Sequence, residues 1–279
     1  MKLKSKEEKM SKTPTVKETN VPTLSSADLD KLMQNSFDNI DSNAVSMPYF
    51  KLVSKQSDIL EPGSANYVEK AKPGMLFNTA TREVYENIKV IPSYFYLADV
   101  EWSERGEGSN RPVTIHDIST NVLKNTFKDD KGKDRLENGN YIERTAHHFV
   151  VRLDANNNVI DSGLILMSRT QMKKSQRWNT MQLSQFQEVE NGERKQLPNH
   201  AQIYTLSSTL EKNSKGTWYG WVINFTGVAP MSAINRSVEF RSSVSQNKGV
   251  NYADEQSEVK KETTSVTTKG SQGTEATPF

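Results

Sequence analysis

Two stretches constrain this chain most, because in each a run of strand-forming residues is broken by turn formers and then resumes. His147 to Leu153 leads into Asp154-Ala155-Asn156-Asn157-Asn158, and Val159 to Met167 returns. Asn and Asp tolerate left-handed backbone angles and bond to their own main chain, so they gather at hairpin turns. Ile203 to Leu210 and Thr217 to Phe225 flank Glu211-Lys212-Asn213-Ser214-Lys215-Gly216 in the same way. Between the hairpins lies one helix signal. Ser168 and Gln171 form a capping-box pattern, and the helix is expected to run to about Leu183.

Upstream the pattern stays strand-like. Pro48 to Val53 reads as a first strand, Lys72-Pro73-Gly74 as a turn before Met75-Leu76-Phe77, and Lys89 to Val100 as a long strand. Pro92 cannot donate to a ladder, so it marks an edge or a bulge. Ser103 to Pro112 and Asn125 to Asn140 read as polar loops. Short strands at irregular spacing with one inserted helix predict a mainly β fold, a small barrel or sandwich rather than a βαβ array.

The ends differ from the middle. Hydrophobic residues make up 34% of the 279, and the deficit is concentrated outside the core. Residues 1–46 read as a disordered N-terminal arm, 47–231 as the β-rich binding core, and 232–279 as a disordered C-terminal tail. Ser26 to Ile40 carries a weak helical spacing through Leu29, Leu32, Met33 and Phe37, either transient or a docking helix.

Composition excludes several classes. There is no cysteine, so disulfides, thiolate catalysis and Cys-type zinc sites are out. No apolar run approaches the roughly 20 residues that span a bilayer. The N-terminus lacks an apolar signal segment, and a cytoplasmic location is expected. With 36 basic and 34 acidic side chains the formal net charge is +2, so any anion site must be a local patch. No Walker A, G-x-G-x-x-G or G-x-S-x-G motif occurs. His147 and His148 are adjacent in a strand, so their rings point to opposite faces and cannot easily share a metal; one is expected in the core and one at the surface. Asp129, Asp130 and Asp134 miss the EF-hand pattern. No cofactor, metal or enzymatic activity is expected, although a nuclease using those three aspartates stays open as a rival.

Three features can carry binding. Lys173, Lys174 and Arg177 fall three and four apart on the expected helix, which gathers their charges on one face. A phosphate backbone would reverse the cost of that crowding. Trp178 beside them either stacks on a base or anchors the helix in the core. In Trp218-Tyr219-Gly220-Trp221, alternation puts Trp218 on one face and Tyr219, Trp221, Ile223 and Phe225 on the other. Gly220 removes bulk beside Trp218, so a flat ring or ligand can lie close. Trp102, before the Gly-containing loop, is a third platform. Rings beside a cationic groove are what sequence-tolerant single-strand binding requires. The last feature is the end of the chain, Pro278-Phe279, where a ring and a carboxylate make a compact handle for a pocket with a basic residue.

That ending resembles the tail of single-stranded DNA-binding proteins of bacteria and T7-like phages, in which the tip recruits replication and recombination proteins. The segments Pro48-Tyr49-Phe50-Lys51-Leu52, Lys72-Pro73-Gly74 and Lys174-Ser175-Gln176-Arg177-Trp178 resemble uncharacterised or DNA-binding early proteins of tailed phages. The resemblance implies an OB-like Greek-key barrel with long loops and a role in phage DNA replication or recombination. The expected partners are single-stranded DNA and, at the tip, replication or recombination proteins; a homo-oligomer stays open. The alternative is a virion structural or scaffold-associated protein, which would also be β-rich, Cys-free and flanked by tails.

Overall fold

The computed structural model describes residues 47–104, 112–214 and 216–246, together with Ser25 and Asp28. The chain divides into two compact units, Met1–Val45 and Ser46–Phe279. In the first, Ser25 Oγ donates to the Asp28 carboxylate at 2.5 Å and accepts from the Asp28 N–H at 3.2 Å. The expected helix over 26–40 otherwise lies outside the described residues, as does most of the arm.

The second unit is mainly β. Its strands are β1 (Phe50–Leu52), β2 (Leu76–Asn78), β3 (Val84–Tyr85), β4 (Ile88–Trp102), β5 (Thr114–Asp117), β6 (Phe127–Lys128) and β7 (Asp134–Arg135). They continue with β8 (Tyr141–Leu153), β9 (Val159–Ser168), β10 (Phe186–Glu188), β11 (Arg194–Gln196), β12 (Gln202–Asn213) and β13 (Gly216–Val228). The helices are α1 (Met172–Leu183) and α2 (Met231–Gln246). An eight-stranded antiparallel sheet, curled into a half-barrel, runs β13-β12-β4-β8-β7-β6, with β5 added to β4 and β9 to β8. β4 and β8 pair along nearly their whole length and form its spine.

Both expected hairpins form. In the first, Asp154 Oδ1 accepts from the N–H groups of Asn156 and Asn158, and Asn157 is left-handed at φ 65°. In the second the ladder continues past the expected strand ends to Asn213 and Gly216, so Glu211 lies in a strand rather than in a loop. Pro92 sits at a bulge: Pro92 pairs with Val150 and Tyr94 with Phe149, leaving Ser93 extra. The Lys72-Pro73-Gly74 turn closes with Met75 N–H donating to Lys72 O, and Gly74 takes φ 90°, as a type II turn requires. The loop expected over 125–140 contains the short strands β6 and β7.

The sheet is covered on both faces, which differs from the expectation for the tail. On one face Phe50, Leu76, Val150, Ile165, Trp178, Tyr204 and Trp221 form the largest core cluster, under α1 and the β1-β2-β3 sheet. On the other, Ile91, Val151, Leu153 and Ile203 pack on Ala233, with Ile234 and Phe240 against them. Helix α2 therefore extends the described fold to Gln246, beyond the boundary expected at 231. Double coverage explains why Thr145 through Leu153 are all buried. It also corrects the expectation of one surface histidine: His147 and His148 do point to opposite faces, yet both are buried.

Candidate nucleic-acid interface

The expected site sits on α1 and the β12–β13 hairpin. Lys173 and Arg177 are exposed and have no partner among the described residues. Lys174 forms an ion pair with Glu211 at 2.5 Å. Trp178 is fully buried, stacked on His148 at 4.5 Å and edge-on to Tyr204 at 5.7 Å. This corrects its reading as a base platform: α1 packs its one large ring inward, and no face is left for a nucleotide. Arg177 and Lys174 line a groove of about 100 Å³ against Trp221, Val222, Ile223 and Asn224.

Tyr219 is half-buried and lies on Gly74, where an added Cβ would come 2.5 Å from its ring. Trp218 is half-buried on the opposite face of β13, and its indole N–H donates to Glu211 Oε2 at 2.8 Å. The space that Gly220 opens is filled from within. A Cβ there would stand 2.6 Å from the Glu211 carboxylate carbon. Pro278 and Phe279 lie outside the described residues.

The capping box is not used as a cap. Ser168 Oγ donates to the Glu143 carboxylate, and a 3-10 turn, Arg169–Gln171, precedes α1. Gln171 instead closes the outer edge of β13: its Nε2 donates to Tyr219 O and its Oε1 accepts from Trp221 N–H. Tertiary hydrogen bonds outcompete the local ones here.

A different constellation emerges from the sheet register. Trp102 pairs with Tyr141, Tyr141 with Arg135, and Arg135 with Phe127. Directly paired residues share a face, so β4, β8, β7 and β6 present a row of ring, ring, guanidinium and ring. At roughly 4.8 Å per strand the row spans about 14 Å. Phe127 is 58% exposed, while Trp102 and Tyr141 are half-buried. The Lys133 ammonium stands 4.1 Å from the Tyr141 ring centroid. Arg135 is fixed by Asp129 at 2.8 Å and Glu104 at 2.5 Å. Backbone N–H groups, Lys133's foremost, and then Arg135 hold the Asp129 carboxyl below its usual range. Asp129 is thus spoken for, and no metal-binding group occurs among the described residues.

Beside the row, β9 ends at Ser168 before β7 begins, which leaves a notch in the edge of β8. The cleft there has a volume of about 570 Å³ and is lined by Lys131, Lys133, Arg144 and Arg169 against Asp134 and Glu143. Arg144 makes a bidentate pair with buried Asp99, 2.8 Å on each arm, and keeps 45% of its side chain exposed. That pairing raises its pKa further. Arg169, at φ 47°, pairs with Glu143. Phe127 and the lysines of the cleft lie in the stretch expected as a polar loop, and the cleft's arginines, Arg144 and Arg169, join them only through the sheet register. A lone Phe among lysines in Asn125-Thr126-Phe127-Lys128 was the one signal for it.

A family model described as Pam3 phage gp34-like protein matches residues 16–250. The chain belongs to that phage family. The match to the gp34-like family spans both hairpins, the cleft and both helices. No curated protein and no solved structure matches this gp34-like chain. Among its described residues no helix is long and apolar enough to cross a membrane.

Proposed function

We propose that the protein is a non-enzymatic single-stranded DNA-binding protein of the phage, acting in DNA replication or recombination in the host cytoplasm. The observation that carries this is the cross-strand row Trp102, Tyr141, Arg135 and Phe127, with a notch along its side where Lys131, Lys133, Arg144 and Arg169 gather, the last three each held by a carboxylate. Rings offer stacking that any base can use, and the lysines and arginines offer phosphate contacts. The site differs from the one expected on α1: Trp102 remains, Trp178 drops out, and Phe127 and Tyr141 join. An OB-like barrel is the fold this reading implies for the curled sheet, though stacking and phosphate contact need only the surface.

The test is a titration with oligo-dT, followed by tryptophan fluorescence and by gel shift against a duplex of the same length. Quenching, a preference for the single strand and a steep loss of affinity with salt are expected. Phe127→Ala and Tyr141→Ala should each weaken binding about 5- to 150-fold, from roughly 1–3 kcal/mol per stacked base. A wild-type protein that ignores oligo-dT at low salt would overturn the reading and leave the virion structural role as the better one.

A further inference from the structure

We infer a second phosphate seat, centred on Lys174 and Trp218, that is held in this structure by the chain's own Glu211 carboxylate. The inference rests on the single-strand binding proposed above and adds a site to it. Glu211 is placed by the ladder directly opposite Trp218. Its carboxylate binds the Lys174 ammonium at 2.5 Å and accepts the Trp218 indole N–H at 2.8 Å. It lies flat over Gly220, where the missing side chain gives it room. An ammonium, an indole N–H and a bare strand make a receptor for a small oxyanion, and a phosphodiester oxygen pair presents the same charge and acceptors as a carboxylate.

The surroundings fit an anion longer than one carboxylate. Lys173 and Arg177 flank Lys174 on α1, exposed and without partners among the described residues. One negative group thus sits among several cations, and it is tethered rather than bound. By register, Trp218 points to the same side of the sheet as Trp102 and Tyr141 but lies past the opposite end of β4, so the second seat is separate from the first. A strand entering here must displace Glu211, which then acts as an internal competitor: Lys174 and the Trp218 ring are exposed to the ligand only as the carboxylate leaves.

The test uses Glu211→Gln in the full chain, which keeps an acceptor for the indole but removes the charge. Binding of oligo-dT is measured across a salt series, alone and combined with Lys174→Gln. The expected result is tighter binding, with the log–log salt slope steeper by about one unit for the released lysine. Adding Lys174→Gln should abolish that gain, while Lys174→Gln alone should change little, since Glu211 already occupies the lysine. Unfolding curves confirm that each variant folds, and Glu211→Ala serves if the glutamine variant does not. If the wild type binds but Glu211→Gln binds no better, the second seat is wrong and the proposed function stands. If neither protein binds, both fall.

Discussion

At the scale of single residues, the two adjacent histidines carry the clearest chemical consequence. His147 stacks on Tyr96 at 4.4 Å, and its Nδ1–H faces Thr145 O; His148 bonds Ser175 Oγ at 2.8 Å under Trp178. Burial pushes His147 down to about 4 and His148 to about 3. An unfolded histidine titrates near 6.5, so between about pH 6.5 and pH 4 the unfolded chain binds protons that the folded chain refuses. Stability is therefore complete above about pH 6.5 and falls as pH drops through that window, by several kcal/mol in all. Urea unfolding at pH 7.5, 6.0 and 5.0 checks this above the range where unfolded carboxylates titrate. A His148→Gln variant should flatten the slope, and a pH-independent midpoint in the wild type would contradict the account. The identity of these groups was plain in the sequence. Their burial was not, because His148 is closed over by Trp178 of α1, and the face that holds His147 is covered by α2, more than 80 residues downstream.

At the scale of elements, Gln171 shows how a local signal is redirected. Its side chain supplies the donor and acceptor that a neighbouring strand would give to β13. Gln171→Leu should leave Tyr219 O and Trp221 N–H without partners and cost about 1–3 kcal/mol, read as a lower urea midpoint. The same variant should also expose the β13 edge and promote association, seen by light scattering. The hairpins were legible because turn chemistry is local: Asp154 and Asn157 determine their own geometry. The end of α1 near Leu183 was legible from helical spacing. The row from Trp102 to Phe127 was not, since it needs the register of four strands separated by long loops. Trp178 was ambiguous for a related reason: helical spacing places it beside Lys174 and Arg177 but cannot say which side of the helix meets His148. Helix α2 had a faint signature in Ala233, Ser237, Phe240 and Val244, spaced four, three and four apart, but small and polar residues hid it.

At the scale of the whole molecule, the core is a sheet between two covers, and the second cover lies past the point where the sequence turns polar. Ending the chain after Pro230 should uncover Ile91, Val151 and Phe149 and give an aggregating or molten product. Ending it after Gln246 should preserve cooperative thermal unfolding, as measured by near-UV circular dichroism. Equal behaviour of the two truncations would mean that α2 contributes little. The bulge at Ser93 acquires its meaning at this scale. Its hydroxyl meets Ser237 of α2 at 2.7 Å, buried on both sides. Nine consecutive buried residues in β8 give hydrophobicity little power to choose among alignments, because a one-residue slip exchanges two faces that are both dry. The extra residue and its hydroxyl partner supply the missing index mark, so β4 and β8 can lock at one alignment only, the one that keeps each histidine with its own ring.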